Sequence, residues 1–262
     1  MTPLTDERAF AIDLARQAGA IMLRNYTLGM AREVKADGSP LTVTDTAIND
    51  LVLAAVHAAY PTHGILAEEG SDHHETQRDV WVCDPVDGTI AFTHGIPNAC
   101  FLLALVRDGR SVLGVCSNPF QDRLLVGEHG NGTTLNDTPV HVSDRATLDD
   151  AVICYESWHS STYDILPARE RLEAHRVNAF ALASAGYEVM LVALGEMDAA
   201  VFPHHTPWDA AASKVIIEEA GGTFTDLFGQ DQRYDRPTRG YVASNGRIHD
   251  ELITLIGSPK AR

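Results

Sequence analysis

Paired cysteines, basic clusters and long apolar runs are what this 262-residue sequence lacks. Its four cysteines, Cys83, Cys100, Cys116 and Cys154, stand far apart and form no C-x-x-C pair. Each lies in an apolar, strand-like setting such as Trp81-Val82-Cys83, where a thiol behaves as a small buried hydrophobe. Neither a zinc site nor a disulfide framework is expected. No apolar run approaches the ~18–20 residues of a membrane helix. The N-terminal stretch is acidic at Asp6 and Glu7 and has no basic region followed by an apolar one. These absences lead to the expectation of a reduced, soluble, cytoplasmic protein with no membrane partner. Positive charge is scarce as well: 20 Lys and Arg stand against 36 Asp and Glu, a formal net charge of −16. The densest basic run, Arg169 to Arg176, is interleaved with Glu170 and Glu173. A nucleic-acid partner needs a basic patch that this chain does not offer. The excess acid serves solubility, and part of it is available to line a cation site.

What is present is an ordinary globular balance, 45% apolar and 21% charged, enough for a real core. Thr5-Asp6 starts a helix whose apolar positions Phe10, Leu14, Ala18 and Ile21 recur to about Leu28, with a polar loop ending in Gly38-Ser39-Pro40 after it. A second helix is expected over 44–60, stopped by Pro61. Strands follow at 64–67, at 81–83, and at 101–106, 111–117, 123–127 and near Val140, the last four as an antiparallel sheet, with a polar surface loop over 71–79. The second half alternates: strand 151–155, helix 167–175, helix 184–195, strand 199–202, helix 208–220, short strands near Thr223 and Tyr241, and a helix over 247–256. The pattern predicts an α+β protein of two lobes, 1–145 and 146–262.

The chemistry concentrates in Asp84-Pro85-Val86-Asp87-Gly88-Thr89. Two carboxylates three residues apart converge on one point only where the chain bends sharply, which Pro85 and Gly88 favour. Gly88-Thr89 then opens a helix whose first N–H groups form an anion cradle. Carboxylates beside a phosphate cradle repel that phosphate unless hard divalent cations sit between them, which points to Mg²⁺. Taken alone, D-P-x-D-G is also an Asp-rich turn. Glu68 and Glu69 follow an apolar strand, and Asp209 opens an apolar helix, where it also fits a helix-start acid. Asp45 has the same alternative at the head of its own helix.

Together these stretches resemble the inositol monophosphatase family. The family pattern W-x-x-D-P-[IVL]-D-G-T-x-x-F-x-x-G-x-P reads WVCDPVDGTIAFTHGIP at 81–97, and W-D-x-A-A followed by E-A-G-G reads WDAAASKVIIEEAGG at 208–222. The family's acidic pair is Glu68-Glu69, and its upstream K-x-D-x-S-x-x-T-x-x-D stretch appears as KADGSPLTVTD at 35–45. The resemblance implies a layered αβαβα sugar-phosphatase fold, a homodimer, and a Mg²⁺-dependent phosphomonoesterase that hydrolyses a small sugar, polyol or amino-alcohol phosphate by in-line attack of metal-activated water. It implies two or three Mg²⁺ per site, held by Glu68, Asp84, the Val86 carbonyl, Asp87 and Asp209. Thr89 would hold the attacking water, oriented by Asp45, with Glu68 helping through a third ion. The N–H groups of Gly88 and Thr89 would bind phosphate, and Glu69 would support the site without direct ligation.

Substrate contacts are expected from Ser184 and Ala185, at a helix start, and from the segment Phe202 to Pro207, including His204 and His205. Relatives acting on myo-inositol phosphate carry an acid where the spacing places Phe202, and a Phe cannot accept a hydroxyl's hydrogen bond. Inositol phosphate is therefore not expected to be the best substrate. Histidinol-phosphatase is the first alternative. A 3′(2′),5′-bisphosphate nucleotidase is the second, with Lys214 or Arg176 serving the extra phosphate. A regulatory, protein-binding member of the family is the non-enzymatic one.

Overall fold

The computed structural model describes residues 4–27, 32–35, 40–72 and 77–262. The expected helix end at Leu28, the Gly38-Ser39 loop and the centre of the 71–79 loop lie outside the described residues. Seven α-helices occur among the described residues: α1 (Thr5–Asn25), α2 (Val43–Ala59), α3 (Thr89–Thr93), α4 (Arg169–Ala174), α5 (Ala185–Ala193), α6 (Pro207–Glu219) and α7 (His249–Ile256). None is long and apolar enough to cross a membrane.

A seven-stranded sheet runs in chain order through β1 (Gly64–Ala67), β2 (Asp79–Asp87), β3 (Cys100–Arg107), β4 (Arg110–Asn118), β5 (Arg123–Glu128), β6 (Gly132–Leu135) and β7 (Thr138–Pro139). Only β1 and β2 pair in parallel. The expected strand near Val140 is a small hairpin, β6–β7. The second sheet is built from β8 (Val152–Tyr155), β9 (Asn178–Phe180), β10 (Ala199–Phe202), β11 (Thr223–Thr225) and β12 (Tyr241–Ser244), in the spatial order β9-β8-β10-β12-β11. Its β9, β8 and β10 are parallel, while β12 runs antiparallel to both of its neighbours. β9 has no counterpart among the expected strands, because three residues are too few to show a period.

Burial divides these elements into five layers. Trp81, Cys83, Phe101, Leu103 and Leu105 pack on one side of the first sheet against Leu14, Ala18, Ile48 and Val52 of α1 and α2. Their strand neighbours Val82, Leu102 and Ala104 point the opposite way, as a period of two requires, into a core with α5, α6 and the near face of the second sheet. The far face of that sheet, with Ile153, Val201 and Val242, is covered by Leu172 of α4 and Leu252 and Ile256 of α7. The result is the α–β–α–β–α order expected for the layered fold, with both faces of each sheet buried.

α6 sits unusually close to the first sheet. A Cβ on Gly114 would stand 2.6 Å from the Ala212 carbonyl oxygen, and one on Gly127 would stand 2.7 Å from Ile216 Cα. Two side chains of that sheet lock the approach: Ser111 Oγ donates to the Ala211 carbonyl at 2.7 Å and Thr133 Oγ1 to that of Ile216 at 2.7 Å. Glu219, at the helix end, accepts from the N–H groups of Gly130 (2.8 Å) and Gly132 (3.0 Å). The start of α6, where Asp209 lies, is thereby referenced to the first sheet. Gly114→Ala is expected to lower the unfolding free energy by about 1–3 kcal/mol through overpacking, read as a lower midpoint in urea denaturation; an unchanged midpoint would contradict the close approach.

Candidate active site

In a regular strand, residues three apart face opposite sides. β2 escapes that rule at its C-terminal end. Asp84 pairs with Leu102 and Asp87 with Cys100, so three steps on β2 oppose two on β3. This one-residue β-bulge places both aspartates on the α5/α6 side, while Val86 turns into the core under α1 and α2. The bend expected at Pro85 is therefore a bulge within a continuous strand, not a turn after it. Asp209, in the first turn of α6, arrives from the opposite layer. Ligand oxygens of Asp84, Asp87 and Asp209 all lie within 4.8 Å of one another, and all three residues are buried.

Each carboxylate is anchored separately. Asp84 Oδ1 accepts the Val86 N–H at 3.0 Å. Asp87 accepts three bonds from the start of α5: Ser184 Oγ at 2.5 Å, Ala185 N at 3.0 Å and Gly186 N at 2.8 Å. Asp209 accepts from the Thr206 hydroxyl. Burial raises the pKa of all three. For Asp84 the neighbouring Glu68, Asp209 and Asp87 add to burial, and the group lies well above the carboxylate range. Asp209 is raised well above it too, by burial and then by Asp87. Asp87 is pushed up by burial to about 6, because its bonds from Ser184, Gly186 and Ala185 oppose the shift. None of the three has an ion-pair partner among the described residues. Like charges this close in an apolar place are relieved by protons or by a cation.

Gly88 and Thr89 follow at the head of α3. Gly88 has φ +80°, and a Cβ there would stand 2.7 Å from Ser184 Cβ and 2.9 Å from the Ala183 carbonyl oxygen, so glycine is required. Thr89 Oγ1 lies 2.9 Å from the Val86 carbonyl oxygen and 3.4 Å from Asp45 Oδ1. Asp45 fills both roles open to it: its Oδ2 accepts the Thr42 N–H and hydroxyl in the capping box of α2, while its Oδ1 faces Thr89. Burial raises its pKa against the Thr42 bonds.

Glu68 lies outside the tight trio, near enough to raise the pKa of Asp84. Its carboxylate is held by Lys35 at 2.7 Å, and the same ammonium donates to Glu69. Burial works against the Lys35 charge, but the two glutamates hold its pKa above the usual lysine value; Glu69 is shifted upward by burial. The role of Lys35 was not read from the sequence, although it heads the quoted KADGS stretch.

The expected substrate contacts fall in three places. Ser184 is the N-cap of α5, accepting the Tyr187 N–H at 3.3 Å while donating to Asp87, and Ala185 also faces Asp87. Phe202 ends β10 in an aromatic stack, with ring centroids 5.3 Å from Tyr241 and 5.5 Å from Trp158. His204 and His205 both meet Thr162: His204 Nδ1 accepts its N–H at 3.1 Å, and both rings contact its hydroxyl. Lys214 is buried between Glu218 (2.7 Å) and Asp231 (2.8 Å), and Arg176 makes a two-bond pair with Asp150. The four cysteines are free and buried, as expected. Gly186 and Glu156 carry no sequence signal, Thr206 stands only within the expected substrate segment, and Glu188 is a charge beside the apolar run Val189-Met190-Leu191-Val192.

Comparison with known proteins matches this geometry to a family. The model of the inositol monophosphatase family matches residues 4–258. A fructose-1,6-bisphosphatase/inositol-1-monophosphatase of Thermotoga maritima is 31% identical over 252 residues, 96% of each chain. A histidinol-phosphatase of Chlorobaculum parvum is 31% identical over 259 residues, covering 97% of this chain and 98% of that one. The solved structure of a Thermotoga maritima inositol monophosphatase superposes with a TM-score of 0.86 at 31% identity, over 96% of each chain. The chain therefore belongs to the inositol monophosphatase family of metal-dependent phosphoric monoester hydrolases.

Proposed function

We propose that this phosphatase is Mg²⁺-dependent and hydrolyses a small sugar, polyol or amino-alcohol phosphate by in-line attack of water, with two or three Mg²⁺ per site. The observation that carries the reading is the buried trio Asp84, Asp87 and Asp209, whose oxygens lie within 4.8 Å without a compensating cationic side chain among the described residues. An all-oxygen, triply acidic donor set fits a hard divalent ion and not a soft one. Asp84, Asp87, Asp209, Glu68 and the Val86 carbonyl would hold the ions. Bound Mg²⁺ supplies charge neutralisation at the phosphate and acidifies a water molecule.

The chain's own groups orient the reaction. Thr89 Oγ1 carries one proton and has two acceptors in reach, Val86 O and Asp45 Oδ1. Donation to Asp45 leaves the Thr89 lone pairs free to accept from the attacking water and fix its direction. The first-turn N–H groups of Gly88 and Thr89 have no acceptor within a helix of their own, so they are available to phosphate oxygens. Donors come from both sides of residue 145, and we take 1–145 and 146–262 as two lobes that meet at the site. A homodimer is the assembly the family resemblance supports, composition supports a cytoplasmic setting, and light scattering measures the assembly.

Substrate choice rests on the wall from Phe202 to His205, with Ser184 and Ala185 behind it. An aromatic ring at 202 offers no acceptor to a ring hydroxyl. Lys214 and Arg176 are committed to carboxylates, which removes the cations that a second phosphate would need. A panel of inositol-1-phosphate, histidinol phosphate, fructose-1,6-bisphosphate and 3′-phosphoadenosine 5′-phosphate is expected to show Mg²⁺-dependent turnover of at least one, with inositol phosphate not the best.

EDTA is expected to abolish phosphate release. Asp87→Asn and Asp209→Asn should each lower kcat about 10²-fold or more; near-normal rates in both variants would remove the metal assignment. The raised pKa values also set a pH dependence. An acid whose pKa is higher in the folded state stabilises that state below its unfolded pKa, and the contribution is lost as pH rises through the folded value. For Asp87 that loss begins near the unfolded carboxyl value of about 3.9 and is complete once pH has passed about 6, with Asp84 and Asp209 extending it to higher pH. Metal-free protein is expected to melt at a lower temperature at pH 8 than at pH 5. At a fixed Mg²⁺ concentration binding is tighter at pH 8, where the carboxylates have no protons to release, so the metal-induced rise in Tm should be larger there; a concentration about 100 times Kd adds about 2.7 kcal/mol. Calorimetry with and without Mg²⁺ measures both, and a metal effect that is larger at pH 5 would contradict the assignment.

A further inference from the structure

The turn 182–186 is stretched between two sets of carboxylates. On one side its Ser184 hydroxyl, Ala185 N–H and Gly186 N–H all donate to Asp87. On the other side Glu156 Oε1 accepts the N–H groups of Leu182 and Ala183, both at 2.8 Å, and Glu188 Oε1 accepts that of Leu182 at 3.0 Å. Ala183, at the centre, has φ +56°, a conformation that residues other than glycine rarely adopt. Its carbonyl also lies against Gly88. The acceptors on Glu156 and Glu188 hold its N–H groups, and Asn98 Nδ2 donates to the Leu182 carbonyl at 2.5 Å.

Both glutamates are buried beside the turn. Glu188 is fully buried on α5 and Glu156 is 8% exposed just past β8. Burial, followed by a hydrogen bond to Glu156, raises the Glu188 pKa well above the carboxylate range. Glu188 Oε2 is buried and accepts no N–H or hydroxyl, which leaves that carboxyl room for a proton. A carboxyl–carboxylate pair of this type keeps one charge in the interior instead of two and stays rigid.

We propose that Glu156 and Glu188 form a positioning pair for Asp87, fixing the 182–186 turn so that its three donors aim at that carboxylate. An ionised carboxylate has about four lone-pair directions. Three donors from a fixed turn occupy three of them and leave one, with a defined direction, for a cation. The pair touches neither substrate nor metal and acts through the turn. The proposal rests on the reading of Asp87 as a metal ligand.

The test is Mg²⁺ binding to the full-length protein by isothermal titration calorimetry without substrate, beside KM at saturating Mg²⁺. Glu156→Met and Glu188→Met fill the same space but remove the acceptors; each is expected to weaken Mg²⁺ binding about 10- to 100-fold, the usual effect of losing a group that orients a ligand. KM should change by a smaller factor than Mg²⁺ affinity does, because Ser184 and Ala185 share the turn but are only part of the substrate wall. Glu156→Gln and Glu188→Gln keep an acceptor oxygen and supply an N–H in place of the shared proton, so they should bind Mg²⁺ within about threefold of the parent protein. If Glu188→Met does not fold, Glu156→Met, at the edge of the cluster, carries the test. Folded Met variants that bind Mg²⁺ like the parent, or Gln variants as weak as the Met ones, overturn the positioning role. Asp87→Asn measured alongside separates the two levels: if it binds Mg²⁺ normally, the metal-ligand reading fails. If only Asp87→Asn is weak, the reading stands and the positioning role fails.

Discussion

Asp87 is the point at which the first sheet is joined to the middle helical layer through chemistry. The bulge in β2 turns its carboxylate away from α1 and α2 and toward the middle helical layer, where the first turn of α5 meets it with three donors. Without the extra residue, Asp84 and Asp87 would lie on opposite faces and no common centre would exist. Without the donors, a buried carboxylate beside two others would have no reason to stay in that orientation. A helix N-terminus is the natural partner for such a group, because its N–H groups lack intrahelical acceptors and its dipole favours negative charge. Gly186 permits the contact: a Cβ there would lie 3.1 Å from Asp87 Oδ2 and 2.7 Å from a Leu102 methyl.

The same arrangement explains how so much negative charge is tolerated in an interior. The carboxylates of Asp84, Asp87 and Asp209 are mutually unfavourable, and each is held by donors that do not neutralise it. Glu68 and Glu69, slightly further out, share the Lys35 ammonium. The site is thus graded, from a trio with no internal counterion to a rim that has one. A divalent cation relieves the largest repulsion at the centre, which couples metal binding to the release of protons and to stability.

Much of this was legible in the sequence because the chemistry sits in contiguous words. Asp84 to Thr89 and Trp208-Asp209 are short enough for their spacing to speak, and most helices and strands followed from apolar periodicity. The layered fold followed from the family likeness. The bulge was not legible: Pro85 announces a bend, but a bend within a paired strand and a turn after it look alike without the register of β3. The sequence points to Ser184 and Ala185 as pocket residues, but nothing local shows that the carboxylate facing Ser184 is ninety-seven residues upstream. Glu188 carries a faint signal, as an acid in an apolar helix, but Glu156 carries none. Their pairing is a long-range fact of packing between β8 and α5.

The anchoring of α6 separates two functions that adjoin in sequence. Ser111 and Thr133 fix the helix to the first sheet, and Gly114 and Gly127 let it approach closely. Asp209 therefore shares a frame with Asp84 and Asp87 on the β2 bulge. Phe202, by contrast, is set by the second sheet through its stack with Tyr241 and Trp158, and His204 and His205 are tied to Thr162. Changes between 202 and 205 can reshape the proposed substrate wall while the first sheet still holds the three aspartates in register. A family in which one reaction serves several phosphorylated metabolites needs such a division: a rigid centre whose geometry belongs to one sheet, and a wall whose residues belong to another.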